Sequence, residues 1–258
     1  MPLRFFQRKA RATWPPIPPE ELIPGVGGGG EESFLATGRE FVGHFKTLAG
    51  LQPDARVLDA GCGCGRMAIA LADYLGPNAS YEGFDVVRAY TDWCTANITS
   101  VKPQYRFAHV DVWNKAYNPT GVLQADSFAF PYADDDFDFA WLTSVFTHML
   151  PADIDHYLSE LHRVIRPGGR VLATYFILTD ESRALIDAKA SHLAMLPTDD
   201  GYWTTNLEIP EAAVAYDAAE LTALHDKHGF KEVRTEFGNW CARPKFLSYQ
   251  DIVLLEKL

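Results

Sequence analysis

Cysteine is scarce in this chain of 258 residues: there are four, Cys62, Cys64, Cys94 and Cys241. Four over that length do not make a disulfide framework. Long hydrophobic runs are lacking too. The longest, Val171 to Leu178, is interrupted by Thr174 and falls far short of the roughly 20 apolar residues a bilayer span needs. No apolar stretch follows the basic N-terminal residues, so no secretory signal is expected, and the expected location is cytoplasmic. Positive charge is in deficit: 23 Lys and Arg against 34 Asp and Glu leave a net charge of −11, which argues against a surface built to neutralise nucleic-acid phosphates. What is present is an ordinary globular composition, 47% hydrophobic and 22% charged, in a chain long enough for one domain with a sizeable core.

Residues 1–30 differ from the rest. They carry Arg4, Arg8, Lys9 and Arg11, a Trp14-Pro-Pro-Ile-Pro-Pro stretch and a glycine run from Gly27 to Gly30. Proline fixes φ and removes donors, so an extended arm with a flexible joint is expected. Two readings stay open for it: a loosely ordered tail, or an arm folded over an active site. Residues 31–258 read as a single domain. Helical spacing marks Ser33 to Ala49, a second helix running to Tyr74, Arg88 to Ile98, Asp153 to Ile165 and Asp217 to His228. Apolar or alternating runs mark strands at Arg56–Asp59, Ser80–Phe84, Tyr105–Val110, Phe137–Leu142 and Arg170–Leu178. Lys231–Phe237 and Phe246–Glu256 complete the set as an antiparallel pair joined by a short loop. Strands alternating with helices predict an α/β fold with a doubly wound, mostly parallel sheet. Residues 179–216 are long for a crossover and are expected to form a lid-like insertion.

The densest stretch is Val57-Leu-Asp-Ala-Gly-Cys-Gly-Cys-Gly-Arg66, a strand running into a glycine turn that opens a helix. That geometry suits a nucleotide-like ligand approaching the backbone. A dinucleotide fingerprint would place its third glycine at 66, where Arg66 stands, which argues against a dehydrogenase. Asp59 suits a cationic ligand group and would be misplaced beside a pyrophosphate. Asp85 ends the second strand, where a carboxylate can accept both hydroxyls of a ribose; capping the next helix is its alternative role.

Four stretches together, Leu58–Arg66, Gly83-Phe-Asp85, Phe130-Pro-Tyr-Ala-Asp-Asp-Asp-Phe-Asp138 and Leu161-His-Arg-Val-Ile-Arg-Pro-Gly-Gly169, resemble the successive motifs of class I S-adenosylmethionine-dependent methyltransferases. The resemblance covers residues 50 to 180. It implies a Rossmann-like sheet of seven strands in the order 3-2-1-4-5-7-6, with the last strand antiparallel, and S-adenosyl-L-methionine as cofactor. Carried over by position, Asp59 and the backbone of Gly61, Cys62 and Gly63 would hold the amino-acid end of the cofactor. Arg66 follows in the same loop, Asp85 would take the ribose, and Val86 would pack on the adenine. The acid that in this family ends the third strand and meets the adenine has two candidates. Asp111, followed by Val112, directly follows the apolar run, and it is preferred on that ground. Asp126 has the usual spacing before Phe130-Pro131, with Trp113 to Gln124 as an insertion.

Methyl transfer depends chiefly on holding nucleophile and methyl in line. A hydroxyl acceptor also gains from a base within hydrogen-bond reach. The segment Thr143-Ser-Val-Phe-Thr-His148 follows the fourth strand at the sheet's carboxyl edge, so Thr143 is a candidate cofactor contact and His148 the candidate base. Binding the cofactor carboxylate, or capping the next helix, are the other roles open to His148. Substrate contacts are expected from Trp203 in the lid and from Trp240 and Arg243 in the final hairpin. An aromatic face beside a guanidinium there would suit a sugar ring or an anionic acceptor. Core packing for Trp203 and a surface ion pair for Arg243 are the plainer alternatives. No pair of residues has metal-site spacing and context, so no metal is expected. Asp134-Asp-Asp136 reads as a solvated turn.

The expected function is O-methylation of a small molecule such as a sugar, glycolipid or other secondary metabolite. N- or C-methylation of a small molecule and a non-catalytic cofactor-binding partner protein are the alternatives. Expected partners are a small-molecule acceptor, no nucleic acid and no membrane span. A homodimer is left open.

Overall fold

The computed structural model describes residues 14–27 and 29–258. The four basic residues of the arm, Arg4 to Arg11, lie outside that range, as does Gly28 within the glycine joint. The chain folds as α1 (Gly30–Thr47), β1 (Arg56–Ala60), α2 (Arg66–Leu71), β2 (Ser80–Asp85), α3 (Arg88–Cys94) and β3 (Tyr105–His109). It continues through β4 (Phe137–Leu142), α4 (Pro151–Val164), β5 (Ile165–Tyr175), β6 (Ile177–Leu178), α5 (Asp180–Asp187), β7 (Leu196–Pro197), β8 (Trp203–Thr204) and β9 (Val214–Asp217). It ends with α6 (Ala218–Lys227), β10 (Phe230–Glu236) and β11 (Asp251–Lys257).

Seven strands form the main sheet in the order β3-β2-β1-β4-β5-β11-β10. Strands β1 to β5 pair in parallel, and β11 runs antiparallel to both of its neighbours. Counted along the sheet, this is the 3-2-1-4-5-7-6 order that the motifs imply. The central strands are buried on both faces, and the pleat divides them. Leu58, Ala60, Ala140, Leu142, Val171, Ala173 and Val253 face α4 and α6 in one core. Val57, Tyr81, Phe139, Trp141, Leu172 and Ile252 face α1, α2 and α3 in the other.

Three boundaries differ from the sequence-based expectation. Strand β5 begins at Ile165 rather than Arg170, because Ile165 pairs with Phe137 and residues 166–169 bulge out in a register shift before Arg170 pairs with Phe139. The expected helix ending at Ile98 closes in a π-helical turn over Thr95–Thr99. The last strand begins at Asp251, not Phe246, because Leu247, Ser248 and Tyr249 are engaged with Phe237, Asn239 and Trp240 in a folded loop. The expected solvated turn at Asp134-Asp-Asp136 is found, with Asp134 and Asp135 exposed and Arg163, Lys257 and Arg56 as ion-pair partners.

Within residues 179–216, α5 precedes strands that join β6 in a small sheet of order β6-β9-β8-β7. That sheet has its own apolar cluster, in which Phe176, Leu178, Met195 and Ala215 pack with Trp240 and Cys241. All four cysteines are free and buried. No helix among the described residues is long and apolar enough to cross a membrane.

Candidate active site

A cavity of about 660 Å3 opens at the carboxyl edge of the sheet, lined by the loops after β1, β2 and β4 together with the arm, α1 and the lid. The turn after β1 needs its glycines for its own packing. Gly61 and Gly63 have φ of +86° and +51°, and a Cβ on them would lie 2.4 Å from Val145 and 2.6 Å from Val26. The loop is thus roofed by two valines. Its N–H groups are engaged internally: Gly61 and Cys62 both donate to the Phe84 carbonyl at 2.9 Å, and Gly63 donates to Asp85 at 2.8 Å. What the loop has left for a ligand is carbonyl oxygens, which suit an ammonium and not a carboxylate.

Asp59 is buried at the end of β1. One carboxylate oxygen accepts from the Tyr81 hydroxyl, and the other, Oδ1, has no partner. Burial, opposed by the Tyr81 bond, pushes this carboxyl up to about 7. Asp85 accepts from Gly63 and Val87 N–H, one to each oxygen, and burial pushes it up to about 6. Each of its oxygens keeps a second lone pair for a hydroxyl donor. Val86, Val112 and Thr143 line the same cavity.

Arg66 lines the cavity as well, but its Nη1 donates 2.6 Å to the carbonyl of Val26. The guanidinium therefore ties residues 24–27 of the arm across the glycine turn. Asp111 and Asp126 both lie outside the cavity wall. Asp111 accepts from Asn118 at 3.1 Å and its carbonyl accepts from Val122 and Leu123, so it braces the 113–124 insertion. Asp126 is exposed, and its neighbour Ala125 reaches the cavity.

His148 stands on the opposite wall. Its Nδ1 lies 2.8 Å from the carbonyl oxygen of Glu211, which can only accept, so Nδ1 carries the proton. That leaves Nε2 with the free lone pair, 3.5 Å from the Tyr117 hydroxyl. Burial lowers the pKa of the ring, opposed by bonds to the Glu211 and Ala212 backbone. Neutral imidazole with Nε2 as acceptor is the form this site favours.

Trp240 and Arg243 are corrected outright. Both are buried away from the cavity around Asp251, which accepts from Trp240 Nε1 at 2.7 Å and from Arg243 Nη1 at 2.8 Å. Trp203 is likewise absent from the cavity wall; it stacks under the Arg183 guanidinium in the small sheet. Residues missed from sequence supply the acceptor side instead: Tyr117, Asp153, Tyr157, Glu211 and Gln250. The insertion and the lid meet there, with Lys115 Nζ 2.5 Å from the Glu208 carbonyl. Only the Tyr117-Asn-Pro-Thr-Gly turn left a trace in the sequence, and it did not say which way Tyr117 pointed. Among the described residues no group of three or more His, Cys, Asp or Glu is placed to hold a metal.

Residues 58–173 match the family described as "Methyltransferase domain". Methyltransferase GfsG of Streptomyces halstedii is 34% identical over 116 residues, 45% of this chain and 36% of that protein. The 2-phytyl-1,4-naphtoquinone methyltransferase of Synechocystis sp. is 29% identical over 143 residues, 54% of this chain and 53% of that one. The matches thus span about half or less of these relatives' own length. A SAM-dependent methyltransferase structure from Aquifex aeolicus superposes with a TM-score of 0.55 at 15% identity, covering 93% of this chain and 99% of the other, which speaks to the fold. Residues 58–173 thus match a methyltransferase domain, and the fold is that of the class I S-adenosylmethionine-dependent methyltransferases. S-adenosylmethionine is the cofactor of that class, and the residues present fit it. Asp59 Oδ1 offers a buried, unpartnered carboxylate oxygen to an ammonium, and Asp85 offers both oxygens to a ribose.

Proposed function

We propose that the protein transfers the methyl group of S-adenosylmethionine to a hydroxyl of a small molecule. The observation that carries this reading is His148: its proton is fixed on Nδ1 by the Glu211 carbonyl, and its Nε2 lone pair belongs to the same cavity as Asp59 and Asp85. The cofactor, when bound, supplies an electrophilic methyl on a sulfonium. Asp59 and the loop carbonyls hold the ammonium end, and Asp85 holds the ribose. Val145 and Val26 close over the turn and exclude water. His148 takes the hydroxyl proton at Nε2 as the oxygen attacks, and the resulting imidazolium stays hydrogen-bonded to Glu211. A relative named for 2-phytyl-1,4-naphtoquinone supports a small-molecule acceptor.

The test joins calorimetry with turnover. S-adenosylhomocysteine is expected to bind the intact protein and to lose roughly a hundredfold in affinity with Asp85→Ala. His148→Ala is expected to leave that affinity unchanged and to lower turnover of labelled donor by roughly 10²–10⁴. Full turnover by His148→Ala would point to a nitrogen or carbon acceptor. Cofactor binding with no transfer to any acceptor would favour a non-catalytic partner role.

A further inference from the structure

Two buried carboxylate oxygens among the described residues have no hydrogen-bond partner, Asp59 Oδ1 and Glu211 Oε2, and both residues line the same cavity. The ammonium end of the cofactor accounts for the first. Nothing in the cofactor accounts for the second, which belongs to the lid on the His148 side. Glu211 is only 5% exposed. A buried acceptor without a donor is costly, and native structures keep such groups where a ligand completes them. The position of Glu211 is fixed by its own backbone: its carbonyl holds His148 Nδ1 at 2.8 Å. One residue therefore orients the base through its carbonyl and presents an empty acceptor in the same cavity. The negative charge is felt nearby, since it helps burial push the Asp153 carboxyl upward.

We propose that Glu211 receives a hydrogen bond from a second hydroxyl or amine of the acceptor, adjacent to the hydroxyl presented to His148. This deepens the methyl-transfer reading and rests on it. The site then selects molecules with two neighbouring donors, such as a vicinal diol, a catechol or an amino alcohol, and rejects free carboxylates. Glu211 acts as a specificity residue: its side chain contacts the acceptor but takes no proton from the reacting oxygen.

The experiment compares Glu211→Gln with the intact protein. The first readout is thermal stability without ligand at neutral pH. Removing an unpaired buried charge is expected to raise the melting temperature by about 3 °C, whereas a fall would show a structural role and overturn the proposal. This readout stands whether or not any acceptor is methylated. The second readout is labelled methyl transfer to catechol against phenol, and to methyl α-mannoside against its 2-deoxy analogue. For the two-donor member of each pair, Glu211→Gln is expected to lower kcat/KM more than tenfold. Removing the neighbouring hydroxyl is expected to cost as much, and the two losses are expected not to add. Equal turnover of both members, or additive losses, would overturn it. S-adenosylhomocysteine affinity is expected to be unchanged in the variant. Loss of product binding and turnover in the intact protein itself would count instead against the methyl-transfer reading.

Discussion

Two loops end at the same edge of the sheet, and the residues in them that look most like ligand contacts point in opposite directions. The loop after β1 faces the cavity with Asp59 and its glycines. The loop between β10 and β11 carries an aromatic ring and a guanidinium and looks, as a sequence, equally suited to a ligand. Ser248, Tyr249 and Gln250 of this loop line the cavity, but Trp240 and Arg243 fold the other way, because Asp251 accepts four hydrogen bonds: from the N–H groups of Gly238 and Ile177, from Trp240 Nε1 and from Arg243 Nη1. Topology decides which edge a loop reaches. A buried partner further along the chain decides which way its side chains point. For Trp240 and Arg243 that partner is the first residue of β11, and the cluster locks the final hairpin onto the small sheet.

The sharpest way to break this comparison is Arg243→Met. It leaves Asp251 in the interior without its cation, a loss worth about 3–5 kcal/mol. Chemical denaturation should show that loss, while S-adenosylhomocysteine affinity should stay unchanged. An unchanged stability with weakened acceptor binding would return the hairpin to the active site. Asp59→Ala is the matching change on the other loop. It removes the acceptor for the ammonium end and should weaken product binding by roughly 10- to 100-fold, as losing a charged hydrogen bond does, with calorimetry as the measurement.

The same contrast explains what was legible in the sequence. The main sheet was readable because its central strands are apolar runs bounded by turn residues, and Phe137–Leu142 falls where the pattern puts it. The cofactor half was readable because its groups lie within a few residues of strand ends: Asp59, Asp85 and Thr143 need only the sheet order to be brought together. The acceptor half comes from two insertions whose packing is decided by long-range contacts such as Lys115 with Glu208 and His148 with Glu211. No local pattern marks Glu211, which follows Pro210 in a single 3-10 turn. Asp111 misled for a related reason. It is at the end of its strand, but Asn118 of the insertion draws its carboxylate away from the cavity.

Arg66 sharpens the comparison from within the readable half. Its guanidinium joins the Val26 carbonyl, so the arm contributes Pro24 to Gly27 to the cavity wall. Arg66→Met should release that segment and expose it to limited proteolysis. Product affinity is expected to fall by roughly tenfold, the scale of one charge-assisted hydrogen bond.

The smallest expected effect is in the pH dependence, and its sign follows from burial. The Asp59 carboxyl is pushed up to about 7 and Asp85 to about 6, both from an ordinary value of 3.8. Between pH 4 and 7 the folded protein holds protons that the unfolded chain has released. Stability from these groups is therefore complete below pH 4 and declines as the pH rises through the window. Asp59→Asn should flatten the upper part of that decline. An ammonium against Asp59 reverses the preference and favours the ionised carboxylate. Product binding should accordingly release protons near pH 6 and strengthen as the pH rises to 7, which calorimetry in buffers of different ionisation enthalpy will register. Binding without proton release in the intact protein, or the same release in Asp59→Asn, would place the ammonium elsewhere. The glycine-loop carbonyls would then be its main support, and the two halves of the cavity would differ less than their geometry implies.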